Sequence, residues 1–271
     1  MRNTGNNILI ITLLSCFLQA GYPAFAQINA KVIRTINFPD TLHPTGNFQI
    51  MDDSLVLLPS NGGVFNLSLN KWHISPDSQR VVLSYYQASS SGPAFLTAFN
   101  RSTSGCALYK RTLLGQHQQF MKITDVAQGG MFRVNALHNA LFAYGTDETG
   151  FSFFECRQDS LFTVLHTDKH RPSYVALFNR STFLFSVGSI IYSCTRSAGL
   201  RKVIECDEPV VSFAVIDETS IIVSTRRGLT LKTQDGESIP VATGSFGEIV
   251  AANKMLYCML WNDRKLKVVK W

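Results

Sequence analysis

An apolar strand that follows a short polar turn comes back along nearly the whole chain, at residues 54–58, 94–99, 140–144, 182–186, 220–224 and 254–258. Successive copies lie roughly 35 to 46 residues apart, a spacing that brackets one four-stranded propeller blade. Turn-forming residues precede each copy, and a second turn and strand follow, as at 61–69, 150–154, 189–192 and 228–232. These pairs read as hairpins. No amphipathic helix of ten or more residues is legible between them, which counts against α/β folds. The expected fold class is all-β: a β-propeller of six blades, with five or seven as alternatives and a β-sandwich as the competing architecture.

A ring of blades has to close. The last copy supplies strands at 246–250, 254–258 and 265–271, one strand short of a blade, while residues 28–36 form a spare alternating strand near the N-terminus. That strand is expected to complete the last blade. Residues 73–120 fit the repeat worst, with serines at 89–91 and a Gln-rich stretch at 116–119.

The unit Phe213-Ala-Val-Ile-Asp-Glu-Thr-Ser-Ile-Ile-Val-Ser-Thr-Arg-Arg-Gly-Leu-Thr-Leu231 resembles the blades of bacterial sensor-type and quinoprotein-like propellers. Their repeats run apolar strand, turn, apolar strand ending in Thr, then Gly-Leu and a third strand. The chain departs from that pattern at Ile222, where the family places Trp. The resemblance implies the fold. It carries no active-site residue onto this sequence.

Residues 8–18 form an apolar run broken only by Thr12, Ser15 and Cys16, and Ala24, Phe25 and Ala26 precede Gln27. A core of about a dozen residues is too short for the ~20 that a spanning helix needs, and Ala-x-Ala is a signal-peptidase pattern. Residues 1–26 are therefore expected to be a signal peptide cleaved between Ala26 and Gln27, leaving 27–271 as one propeller domain. Leu13, Leu14, Ser15 and Cys16 also resemble a bacterial lipobox, in which Cys16 would be lipidated. Membrane attachment is expected only in that case. The expected location is the periplasm, the cell surface or the extracellular space.

Hydrophobic residues make up 45% of the chain and charged residues only 16%, below the usual quarter, so a large core is available. The net charge of +6 is spread in pairs such as Arg201 with Lys202 and Arg226 with Arg227. Nucleic-acid binding needs clustered cations with stacking aromatics, and none is expected. The basic run from Arg264 to Lys270 reads as the outer face of a strand. After the leader, Cys106, Cys156, Cys194, Cys206 and Cys258 are odd in number, so at least one is expected to stay outside any intramolecular disulfide.

Gly-x-Ser-x-Gly, His-Glu-x-x-His, phosphate-loop and EF-hand patterns are absent, and no catalytic, cofactor or metal residue is assigned. His166, Asp168 and His170 have the donor types of a metal site, yet the neighbouring Lys169 and Pro172 make the segment read as a polar loop. Asp147 with Glu148, Asp52 with Asp53 and Asp217 with Glu218 stand where turns are made. Tyr85, Tyr86 and Trp72 are expected between blades, and Trp261 is the ring expected to be exposed to a ligand. Asn66, Asn100 and Asn179 match glycosylation acceptors incidentally. The leading expectation is an exported, non-enzymatic propeller that binds a protein or glycan. A hydrolase or lyase acting on a glycan or lactone, and a structural subunit of a cell-envelope assembly, are the alternatives.

Overall fold

The computed structural model describes residues 30–52, 54–87, 89, 92–103, 105–111, 117–124, 131–137, 140–157, 160–168, 170–179, 182–195, 199–260 and 263–270. The expected signal peptide, its Ala26–Gln27 junction, Cys16 and Trp261 all lie outside these residues.

Among the described residues the first strand is β1 (Lys31–Asn37), and the chain then builds six four-stranded antiparallel sheets. Blade 1 is β2 (Pro44–Met51), β3 (Ser54–Pro59), β4 (Val64–Asn66) and β5 (Lys71–Ile74). Blade 2 is β6 (Arg80–Gln87), β7 (Ala94–Asn100), β8 (Gly105–Arg111) and β9 (His117–Thr124). Blade 3 is β10 (Met131–Leu137), β11 (Ala140–Asp147), β12 (Gly150–Arg157) and β13 (Ser160–Thr167). Blade 4 is β14 (Tyr174–Asn179), β15 (Thr182–Val187), β16 (Ile190–Thr195) and β17 (Gly199–Glu205). Blade 5 is β18 (Ser212–Val215), β19 (Ser220–Ser224), β20 (Gly228–Thr233) and β21 (Ser238–Thr243). Blade 6 is β22 (Ile249–Ala252), β23 (Met255–Leu260), β24 (Lys265–Lys270) and the returning β1.

The fold is a six-bladed β-propeller. Each recurrent apolar segment of the sequence is the second strand of its blade, β3, β7, β11, β15, β19 and β23. The first strands of successive blades touch one another all the way round, from β2 through β6, β10, β14, β18 and β22 back to β2. They therefore enclose the central channel. Residues 73–120, the poorest match to the repeat, still form most of a regular blade 2.

Local chemistry accounts for the turns. Asn253 and Lys254 join β22 to β23 with φ of 52° and 59°, the two positive values that a two-residue hairpin turn matched to strand twist requires. Asp147 accepts hydrogen bonds from the backbone and hydroxyl of Thr149 at 2.8 and 2.6 Å, and Asp217 does the same for Thr219 at 2.7 and 2.8 Å. These acids build the same turn in different blades.

Closure follows the expected route. β1 pairs antiparallel with β24 from Lys31 opposite Lys270 to Asn37 opposite Lys265. Phe38, just after β1, is buried with Phe48 and Leu57 of blade 1 and Met259 and Leu266 of blade 6. One apolar cluster thus spans the junction. Arg264 adds polar contacts there, donating from Nη2 to the carbonyls of Pro39 and Leu42 at 2.6 and 2.9 Å.

Buried hydroxyls tie neighbouring blades together. Ser84 lies 3.1 Å from the Thr97 hydroxyl and accepts from the Val134 backbone N–H at 2.6 Å, while Thr97 donates to the Phe132 carbonyl. Ser212 donates to the Gly247 carbonyl at 2.7 Å and accepts from the Ile249 N–H at 3.1 Å. Its cross-strand partner Ser224 donates to the Phe246 carbonyl at 3.1 Å. Ser173 and Ser186, 3.0 Å apart, occupy the same place at the border of blades 4 and 5. A buried backbone N–H or carbonyl without a partner costs about 1–3 kcal/mol, so these pairs hold the height of one inner strand against the next.

Candidate functional site

The hydroxyl ties fix two charged residues at matching positions. Val134 and Ile249 donate their backbone N–H groups to Ser84 and Ser212, and the residues directly before them are Arg133 and Glu248. Blades 3 and 6 stand opposite each other in a ring of six. The Arg133 and Glu248 side chains consequently reach towards each other across the channel, with Nη1 and Oε1 3.8 Å apart.

The pair sits where two cavities meet. One, of about 350 Å3, runs between the inner strands and is lined by residues from every blade, including Gln49, Tyr86, Asn135, Leu177, Val215 and Val250. The other, of about 880 Å3, is the mouth of the channel at the ends where the inner strands begin. Asn47, Arg133, Tyr174 and Glu248 border both. The loops leading into β2, β14, β18 and β22 form the rim through His43, Ser173, Pro209 and Ser245, and Arg226 and Arg264 come from turns between second and third strands.

The electrostatics of this tier are dominated by burial. Enclosure by the ring pushes the Glu248 carboxyl up from 4.5 to about 7, against the opposing pull of Arg133. Burial works against the Arg133 charge as well, but Glu248, Tyr144 and Tyr174 together lift it above its ordinary value. Tyr144, the cross-strand partner of Arg133, and Tyr174, whose ring lies 5.9 Å from the Arg133 guanidinium carbon, both have phenols raised by burial. Around neutral pH, Glu248 is thus the group of this tier that exchanges a proton. Its side chain keeps 15% of its exposure and that of Arg133 36%, because both face the channel space although they lie deep in the ring.

The candidates named from sequence lie elsewhere. His166 belongs to the outer strand β13, with Nδ1 2.9 Å from the Ser152 hydroxyl, and His170 packs beside Tyr192 with ring centroids 5.4 Å apart. Among the described residues, no three His, Cys, Asp or Glu side chains come together as a metal site. Trp72 meets Phe65 edge-on at 5.4 Å and covers Gly63, whose position a Cβ would bring to 2.3 Å from the indole. It is packing. Tyr85 is buried with its hydroxyl on Gln87, whereas half-buried Tyr86 lines the channel. Asn66 is 1% exposed and caps a turn by accepting from the Leu69 N–H at 2.9 Å, so it offers no glycosylation acceptor in the folded chain. The five described cysteines are free thiols, and burial pushes Cys106, Cys156 and Cys258 up to about 12. Leu260 and Arg264, close to Trp261 in sequence, border the mouth.

Sequence reasoning passed over Arg133 and Glu248. The available signal was an arginine between Phe132 and Val134 and a glutamate before Ile249 and Val250, charges embedded in inner-strand text.

No family model matches the chain, and no curated protein is similar to it. Solved structures share its architecture. One bears a provisional gluconolactonase name, with 11% identity, 92% of this chain and 96% of that chain covered, and a TM-score of 0.63. A luciferin-regenerating enzyme follows at 9% identity, covering 88% and 95% with a TM-score of 0.62. The extracellular domain of a hybrid two-component system from B. thetaiotaomicron matches at 11% identity over 82% of this chain and 32% of that one, with a TM-score of 0.55. At such identities the likeness is one of fold.

Proposed function

We propose that the protein is an exported, non-enzymatic β-propeller that binds a protein or glycan partner, in the periplasm or at the cell surface, with the face on which its channel opens. The observation that carries this reading is the mouth of about 880 Å3, built from the loops of several blades and floored by the Arg133–Glu248 pair. Its volume lies within the roughly 300–1,000 Å3 of ligand pockets. Acid–base catalysis generally needs a proton acceptor matched with a proton donor near the working pH. Here Glu248 faces a guanidinium and two phenols that hold their protons at neutral pH.

A glycan array probed with the protein and with Ser245→Trp, which fills the rim, tests the assignment. Binding that the rim substitution abolishes supports it. Binding that survives the substitution places the partner elsewhere and overturns it.

The hydrolase reading has two observations in its favour. A carboxyl raised to about 7 is poised as a base, and one neighbour in fold carries the gluconolactonase name. Turnover of a lactone that Glu248→Gln abolishes would establish it. The envelope-subunit alternative depends on anchoring. Mass spectrometry of the mature N-terminus distinguishes a chain starting at Gln27 from one lipidated at Cys16.

A further inference from the structure

The Arg133 guanidinium is underused for a group so deep in the ring. Among the described residues its interactions are Glu248 at 3.8 Å, beyond hydrogen-bond length, and the face of Tyr174. A guanidinium carries five N–H donors in a planar fork that matches a carboxylate. With its side chain 36% exposed, Arg133 turns these donors to the mouth and the channel, where a ligand can reach them.

The surroundings indicate what would meet them. Arg226 stands at the rim with Arg133 below, against the single carboxylate of Glu248 among the described lining residues, so the cavity favours an anion. Arg264 donates to the Pro39 and Leu42 carbonyls, and Glu208, next to the rim residue Pro209, pairs through Oε1 with Arg227 at 2.6 Å. The remaining polar lining is neutral. Thr45 and Asn47 donate to the carbonyls of Leu58 and Leu83 at 2.8 and 3.4 Å, which leaves their oxygens able to accept, and Ser245 is exposed. A cationic floor beneath hydroxyl and amide groups suits a ligand that combines one carboxylate with several hydroxyls.

Building on the reading of the mouth as the binding face, we propose that the ligand is an acidic sugar of the uronic-acid type, whose carboxylate takes the Arg133 guanidinium from Glu248. The exchange is linked to a proton. Once displaced from Arg133, Glu248 keeps only the burial that already raises its pKa, so it takes up a proton as the ligand binds. Arg133 from β10, Tyr144 from β11 and Tyr174 from β14 are the charged and titratable groups packed around it, with His43, Arg226 and Arg264 at the rim. Affinity should therefore rise as pH falls from 8 to 6, while the sugar carboxylate stays ionised.

Isothermal titration with glucuronate, and with glucose as the ring lacking the carboxylate, tests this at pH 6 and pH 8. Glucuronate should bind at least tenfold more tightly than glucose, and Arg133→Met should remove at least tenfold of that affinity. Glu248→Gln should bind glucuronate equally at both pH values. His43→Asn should keep the wild-type pH dependence, which separates the rim imidazole from Glu248. Equal binding of the two sugars, no binding of glucuronate, or unchanged affinity in Arg133→Met overturns the inference. Should Arg133→Met fail to fold, the Glu248→Gln profile decides: a pH dependence that persists there overturns the exchange. Failure here alongside glycan-array binding that Ser245→Trp abolishes refutes the acidic sugar alone. Array binding that survives Ser245→Trp refutes the binding face with it.

Discussion

Replacing Glu248 by glutamine measures which of two opposing forces governs the channel carboxyl. Burial raises its pKa and Arg133 lowers it, and the balance stands at about 7 against an ordinary 4.5. At about 1.4 kcal/mol per pH unit, ionising Glu248 in the folded ring costs about 3 kcal/mol relative to the unfolded chain. Contact with the channel space, seen in the 15% exposure of the side chain, trims this to about 2–3 kcal/mol. The sign follows from a folded pKa above the unfolded one. Stability from the neutral carboxyl is fully present below pH 4.5, falls as pH climbs to about 7, and is level above that. Glutamine keeps the shape and has no such loss.

Thermal unfolding of both proteins, followed by circular dichroism between pH 4 and pH 8.5, reads the effect. Groups common to both cancel in the difference. The advantage of Glu248→Gln should grow by about 2–3 kcal/mol across this range, or about 4–12 °C in Tm for a chain of this size. A difference that stays flat or shrinks with pH would mean that the Arg133 attraction outweighs burial, and would refute the reasoning.

Three further outcomes are expected. Phe38→Ala empties a site in the cluster joining blades 1 and 6 and should cost about 3–5 kcal/mol in urea unfolding, whereas a cost below 1 kcal/mol would show that closure does not depend on this contact. Ser212→Ala strands the Ile249 N–H and should cost about 1–3 kcal/mol in urea unfolding, whereas a cost near zero would show that this tie does not hold the inner strands together. Thiol titration of the native protein should leave Cys106 and Cys258 unlabelled for hours, and rapid labelling of either would contradict their burial.

The architecture was legible because each blade writes its second strand in local text. Segments such as 182–186 and 220–224 are apolar runs bounded by turns, and the turn acids Asp147 and Asp217 repeat with them. The closing strand was legible for a related reason, since the last blade visibly lacked one. Blade 2 was harder to read: its inner strand carries the polar Ser84 and Gln87, whose side chains meet Val134 of blade 3 and His73 of blade 1 and blur the apolar pattern. The candidate site was not legible at all. Arg133 and Glu248 lie more than a hundred residues apart, and only closure of the ring sets blade 3 opposite blade 6. Periodicity gives the spacing of repeats along the chain, and the height at which inner strands meet is set by hydroxyl ties such as those of Ser84 and Ser212.

A crystal structure of the protein with glucuronate tests the central claim most directly. The expected result is the sugar in the channel mouth, its carboxylate about 2.8 Å from the Arg133 guanidinium and Glu248 turned away. A sugar bound on the opposite face or the outer rim, with the Arg133–Glu248 pair unchanged, would contradict it.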